Sequence, residues 1–162
     1  IVSARNFTKK NQFDQHLPWL TETFQNSIQK GLEFWETRAT LFPNLIFCGD
    51  TEKQIKNLGS SQQLELIRDK LSLLNQAIEE NTRPTFEYDW VNSYYALRIS
   101  PESNSTMALY GSRRKFQLPQ GGKDTFELHM KFSSIRIHIL PEGPSSMLIG
   151  YIGPHLPTKK YN

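Results

Sequence analysis

The spacing of apolar residues divides this chain near residue 110, with a helical period before it and a period of two after it. Phe13, Leu17, Leu20, Phe24 and Ile28 recur at intervals of three and four, which predicts one amphipathic helix. Pro18 falls early enough in it to be tolerated near a helix start or a bend. Leu32, Phe34 and Trp35 carry the apolar content on to Pro43. The short run from Leu41 to Cys48, broken by Pro43, reads as a buried connector. Asp50 is placed to cap a short helix with Lys53 and Lys56 outward. The clearest helix spans about Ser61 to Glu80: Ser60 or Ser61 supplies the cap, and Leu64, Ile67, Leu71, Leu74 and Ile78 make its core-facing stripe. Residues 82–95 are aromatic without a decisive period, and aromatics at that density are mostly core. Ser100-Pro101-Glu102 has the form of a helix start, with a hydroxyl, a proline and an acid in order.

After Gly111 four strands are expected: Arg113–Leu118, Phe126–Phe132, Ile135–Leu140 and Met147–Ile152. The breaks between them are too short for crossover helices, so the strands should form an antiparallel meander. The expected fold is therefore α+β. One domain covers residues 1–162, with a helical part (1–110) packed on a four-stranded antiparallel sheet (111–162).

Alternation across the strands sorts their side chains onto two faces. Phe126, Leu128, Met130, Phe132, Ile135, Ile137 and Ile139 fall on one face, and Phe116 and Leu118 fit the same side. If Ser133-Ser134 is a two-residue hairpin turn, Phe132 pairs with Ile135, Lys131 with Arg136, and His129 with His138. The second face then carries two histidines, a lysine and an arginine, with Arg113, Lys115 and Gln117 outward on the first strand. Lys131 opposite Arg136 is a like-charge pair. Such a pair costs stability unless an anion or a carboxylate such as Glu127 offsets it.

The charge distribution supports the same region. Residues 1–110 hold 11 Lys/Arg against 13 Asp/Glu, whereas residues 111–162 hold 8 against 3 and three of the four histidines. A local excess of +5 attracts polyanions such as RNA, although it is also what a solvated surface looks like. A metal at His129 and His138 is not expected, because no Asp or Cys of suitable spacing joins them and the neighbouring cations oppose it. No cofactor is expected either. The single Cys48 allows no internal disulfide. No run approaches the length that spans a bilayer, so no membrane partner is expected. The first residues lack an apolar signal core, and a cytoplasmic setting follows as the expectation.

The run Ser134-Ile-Arg-Ile-His-Ile-Leu, a turn, and then Met147-Leu-Ile-Gly-Tyr-Ile-Gly-Pro-His155-Leu-Pro-Thr-Lys159-Lys160 resembles the end of RelE/HigB-superfamily toxins. The resemblance covers residues 113–162. It implies helices before a curved antiparallel sheet whose concave face cuts mRNA, usually on the ribosome, and an antitoxin protein as partner. The helical first half here would be an extension of that plan. Metal-free RNA cleavage needs a base, an acid and a cation for the phosphate. On this reading His129 and His138 transfer protons, Lys131 and Arg136 hold the phosphate, and Arg113, Lys115, His155, Lys159 and Lys160 bind substrate. The alternative is a non-catalytic module, within a larger defence or regulatory protein, that binds nucleic acid or a protein partner.

Overall fold

The computed structural model describes residues 17–20, 22–23 and 30–160. Most of the first expected helical stripe, including Phe13, Phe24 and Ile28, lies outside the described residues, although 17–20 and 22–23 are helical. The elements that follow are α1 (Gly31–Leu41), β1 (Leu45–Phe47), α2 (Thr51–Lys56), α3 (Ser61–Glu79), α4 (Tyr88–Tyr95) and β2 (Ile99–Pro101). Then come α5 (Asn104–Tyr110), a 3₁₀ turn (Gly111–Arg114), β3 (Lys115–Gln117), β4 (Lys123–Thr125), β5 (Leu128–Phe132), β6 (Ile135–Pro141) and β7 (Met147–Pro154).

α3 forms as its stripe predicts. The Ser60 hydroxyl accepts from the Gln63 amide at 3.4 Å, and Leu64, Ile67, Leu71, Leu74 and Ile78 are buried. They share one core with Ile135, Ile137 and Ile139 of β6 and Met130 and Phe132 of β5. Burying such side chains is the main stabilising term of the fold. Asp50 stands at the N-cap of α2, but its side chain makes no capping hydrogen bond.

The sheet is five-stranded and mixed, in the order β1-β7-β6-β5-β2, where a four-stranded antiparallel meander was expected. β1, inside the expected connector, pairs in parallel with β7, Leu45 opposite Met147. β2 pairs antiparallel with β5, Ile99 opposite Met130. Ser100-Pro101 therefore ends an edge strand instead of starting a helix. Proline is tolerated there because an edge strand need not use every N–H. The next helix starts at Asn104 and is capped by Ser103, whose hydroxyl accepts from the Thr106 amide. The expected strand Arg113–Leu118 is also corrected. Arg113 lies in the 3₁₀ turn, and Lys115–Gln117 pairs only with Lys123–Thr125, in a separate two-stranded hairpin.

The central hairpin has the anticipated register: Phe132 faces Ile135, Lys131 faces Arg136, and His129 faces His138. Ser133 in its turn adopts φ +48°, the left-handed conformation such two-residue turns require. The β6–β7 register slips between His138 and Ile139, leaving Gly150 as the extra residue of a bulge. A side chain at Gly150 would meet the rings of Phe126 and Phe116 at 2.7 and 2.8 Å, so only glycine lets both rings lie flat on β7.

Candidate functional site

The helices cover one face of the sheet, and the β3–β4 hairpin covers part of the other. Phe116 of β3 packs edge-on against Phe126 at 5.3 Å, stacks on Tyr151 of β7 at 5.8 Å, and lies 5.9 Å from the His138 ring. Phe126, Cys48 and Leu148 form a second small core beneath it. The expected polar face is consequently not open along its length. His129 and His138 do share it, their rings stacked at 5.3 Å and tilted by 28°, but they are only 3% and 1% exposed. Lys131 is exposed and Arg136 half-buried at the outer end of the same face.

Two residues that the sequence reading did not place at the site join the histidines. Arg114, at the end of the 3₁₀ turn, is completely buried. Its Nε and Nη2 donate to Glu102 Oε1 at 3.1 and 2.9 Å, and its Nη1 donates to the carbonyls of Pro157 (2.6 Å) and Tyr110 (3.3 Å). The guanidinium thus ties the strand that ends at Pro101 to the chain that leaves β7. Glu102 is anchored by its amide, which donates to the Glu127 carbonyl. Its side chain is 8% exposed, with Oε1 3.8 Å from His129 Nδ1. A signal for Arg114 does exist in the sequence: it shares the inward parity of Phe116 and Leu118, where an arginine is out of place unless paired.

The surroundings of the imidazoles set their charge. Burial, followed by the positive Lys131, pushes the His129 pKa down to about 4, with Arg136 and His155 adding to the effect. His138 is pushed to about 4, chiefly by burial, and its neighbour His129 adds to this. Loss of solvation favours the uncharged ring in both cases. Both are therefore neutral at neutral pH. His138 Nδ1 lies 3.1 Å from the Phe126 carbonyl. A carbonyl only accepts, so Nδ1 carries the proton and Nε2 the lone pair. His129 Nδ1 is buried with no hydrogen-bond partner.

The remaining predicted site residues lie outside this cluster. Arg113, Lys115, His155, Lys159 and Lys160 are exposed. His155 is close enough to His129 to lower its pKa, and its Nδ1 approaches the Leu156 carbonyl at 2.6 Å. Among the described residues, no carboxylate lies within 4 Å of the side-chain nitrogens of Lys131, Arg136, Arg113 or Lys115, and Arg136 Nε is buried without a partner. Arg136 spends its Nη1 on the backbone carbonyls of Ser133 and Ile135. Among the described residues no helix is long and apolar enough to cross a membrane. No family model, curated protein or solved structure matches the chain.

Proposed function

We propose that the chain is a nucleic-acid-binding module that holds the phosphates of RNA with the outward cations of its C-terminal third. The observation that carries this reading is the cross-strand pair Lys131–Arg136. Two cations stand directly opposite each other, and among the described residues no carboxylate within 4 Å offsets them. Such a pair is destabilising by itself and is relieved by an anion placed between the two. Phosphate is such an anion, and hydrogen bonds to it from a charged donor are stronger than neutral ones. His155 is near enough to His129 to lower its pKa. Lys159 follows closely on Pro157, whose carbonyl holds Arg114 next to Arg113 and Lys115. A ribosome-bound mRNA and a cytoplasmic setting fit this proposal; an antitoxin partner rests on the RelE/HigB resemblance alone.

Binding is favoured over cleavage because the two imidazoles suited to proton transfer are both buried, with Phe116 and Tyr151 packed against the His138 ring. A substrate 2′-hydroxyl must come within hydrogen-bond reach of its base. The test is a titration with single-stranded RNA at several salt concentrations, beside a single-turnover cleavage assay with and without ribosomes. Each phosphate contact on a single strand contributes about −0.7 to the slope of log K against log salt. Replacing Lys131 and Arg136 together should therefore flatten that slope by about 1.4. An unchanged slope refutes the proposed surface. Cleavage that falls roughly 10²–10⁴-fold in His138→Ala with binding intact would instead establish an enzyme whose cover opens.

A further inference from the structure

We propose that Glu102, His129 and His138 form a binding site for one divalent transition-metal ion of the zinc class. Each offers one ligand atom, and the three atoms lie within 4.8 Å of one another in the covered part of the sheet. Two imidazoles and a carboxylate are a set that zinc and similar ions take, at about 2.0–2.2 Å per bond. Ligand atoms around such an ion stand roughly 3–4 Å apart. His129 Nδ1 stands 3.8 Å from Glu102 Oε1, too far for a hydrogen bond, so the ring nitrogen is near the carboxylate without being held by it.

Two independent features point the same way. His129 Nδ1 belongs to a side chain that is 97% buried by its 3% exposure, and it has no hydrogen-bond partner. Buried polar atoms are normally satisfied, so an orphan facing a carboxylate marks a position meant for something else. His138 shows the outer arrangement of a ligating imidazole: Nδ1 is held by the Phe126 carbonyl, which fixes the tautomer that leaves Nε2 free to bind metal. Both rings are already neutral, as ligation requires.

Arg114 sets the limits of the site. Its Nε and Nη2 both donate to Glu102 Oε1, which leaves Oε2 for an ion. Its charge nevertheless opposes a dication, because Glu102 and Arg114 already cancel. The ion must therefore arrive with an anionic fourth ligand, such as hydroxide, in the position that three protein ligands leave open. Hard ions that favour oxygen ligands, such as Mg²⁺ and Ca²⁺, should be refused.

The experiment is calorimetric titration of the metal-free full chain with Zn²⁺, and separately with Mg²⁺. It is paired with ¹⁵N spectra of the histidine rings and a Co²⁺ absorption spectrum. One Zn²⁺ per chain, a raised melting temperature, and shifts in the ring nitrogens of His129 and His138 are expected. His129→Gln loses a ligand but no hydrogen bond from Nδ1. It should weaken Zn²⁺ binding by more than about 100-fold, beyond what loss of an outer partner costs. If that variant does not fold, the ring spectra of the unaltered protein decide the matter. The absence of stoichiometric binding, or binding that shifts only the exposed His155, overturns the site.

Discussion

Replacing Arg114 with methionine tests whether the buried ion pair organises this end of the molecule. The substitution keeps much of the side chain's length and apolar bulk. It removes two hydrogen bonds to Glu102 Oε1 and those to the Pro157 and Tyr110 carbonyls. The guanidinium is 0% exposed and the Glu102 side chain 8%, so water cannot take over. Removing one partner of such a pair costs about 3–5 kcal/mol, because a buried charge is left uncompensated. For a domain of ordinary stability, about 5–15 kcal/mol, that is a large fraction of the total. Glu102→Leu should cost a similar amount. The double variant, with no charge left to bury, should be far less destabilised than the sum of the two, with a coupling energy on the order of 1–3 kcal/mol. Equilibrium denaturant unfolding of the four proteins, with chelator present, measures all of these terms. A loss below about 1 kcal/mol for Arg114→Met, or simple additivity, would show that the pair is not the tie described here.

Leu71→Ala or Leu74→Ala should cost about 2–5 kcal/mol by thermal or denaturant melting, since both side chains are 0% exposed under the sheet. Gly150→Ala should lower the melting temperature by more than a surface substitution does, because the added methyl would stand 2.7 Å from Phe126 Cε1. Lowered histidine pKa values make the metal-free protein acid-sensitive. The unfolded rings titrate near 6.5 and the folded ones near 4, so the unfolded state binds more protons between those values. Stability is then full above about pH 6.5 and falls as the pH drops toward 4, by up to about 3 kcal/mol for each ring. His129→Gln should flatten that part of the stability–pH curve; an unchanged curve would remove His129 from the effect.

The hairpin of β5 and β6 could be read from the sequence down to the residue pair because every signal for it is local. Ser133-Ser134 set the turn, alternation set the faces, and the register followed. β1 and β2 were hidden for the opposite reason. Leu45 finds its parallel partner at Met147, about a hundred residues away, and nothing in a three-residue strand announces a crossover of that length. Ser100-Pro101-Glu102 satisfies the local rule for a helix start, yet pairing with β5 overrides it and Ser103 caps the helix instead.

The polar face of the sheet shows the limit of alternation most clearly. Period two places His129, Lys131, Arg136 and His138 on one side, and the structure places them there. It cannot say how far that side is covered. The cover comes from Phe116 and from Tyr151, whose rings close over the His138 half and stop short of Lys131. Alternation puts Phe116, Leu118 and Phe126 alike on the helix-facing side, whereas the hairpin makes a second core on the opposite face, in which Phe126 packs with Cys48 and Leu148 and Phe116 and Leu118 lie against them. Two chemistries therefore share one face. The outer half keeps cations that have no carboxylate within 4 Å among the described residues, and the inner half keeps neutral imidazoles beside a carboxylate, screened from water. Charged side chains and neutral imidazoles demand opposite environments, and a residue's position along two paired strands decides which of them it meets.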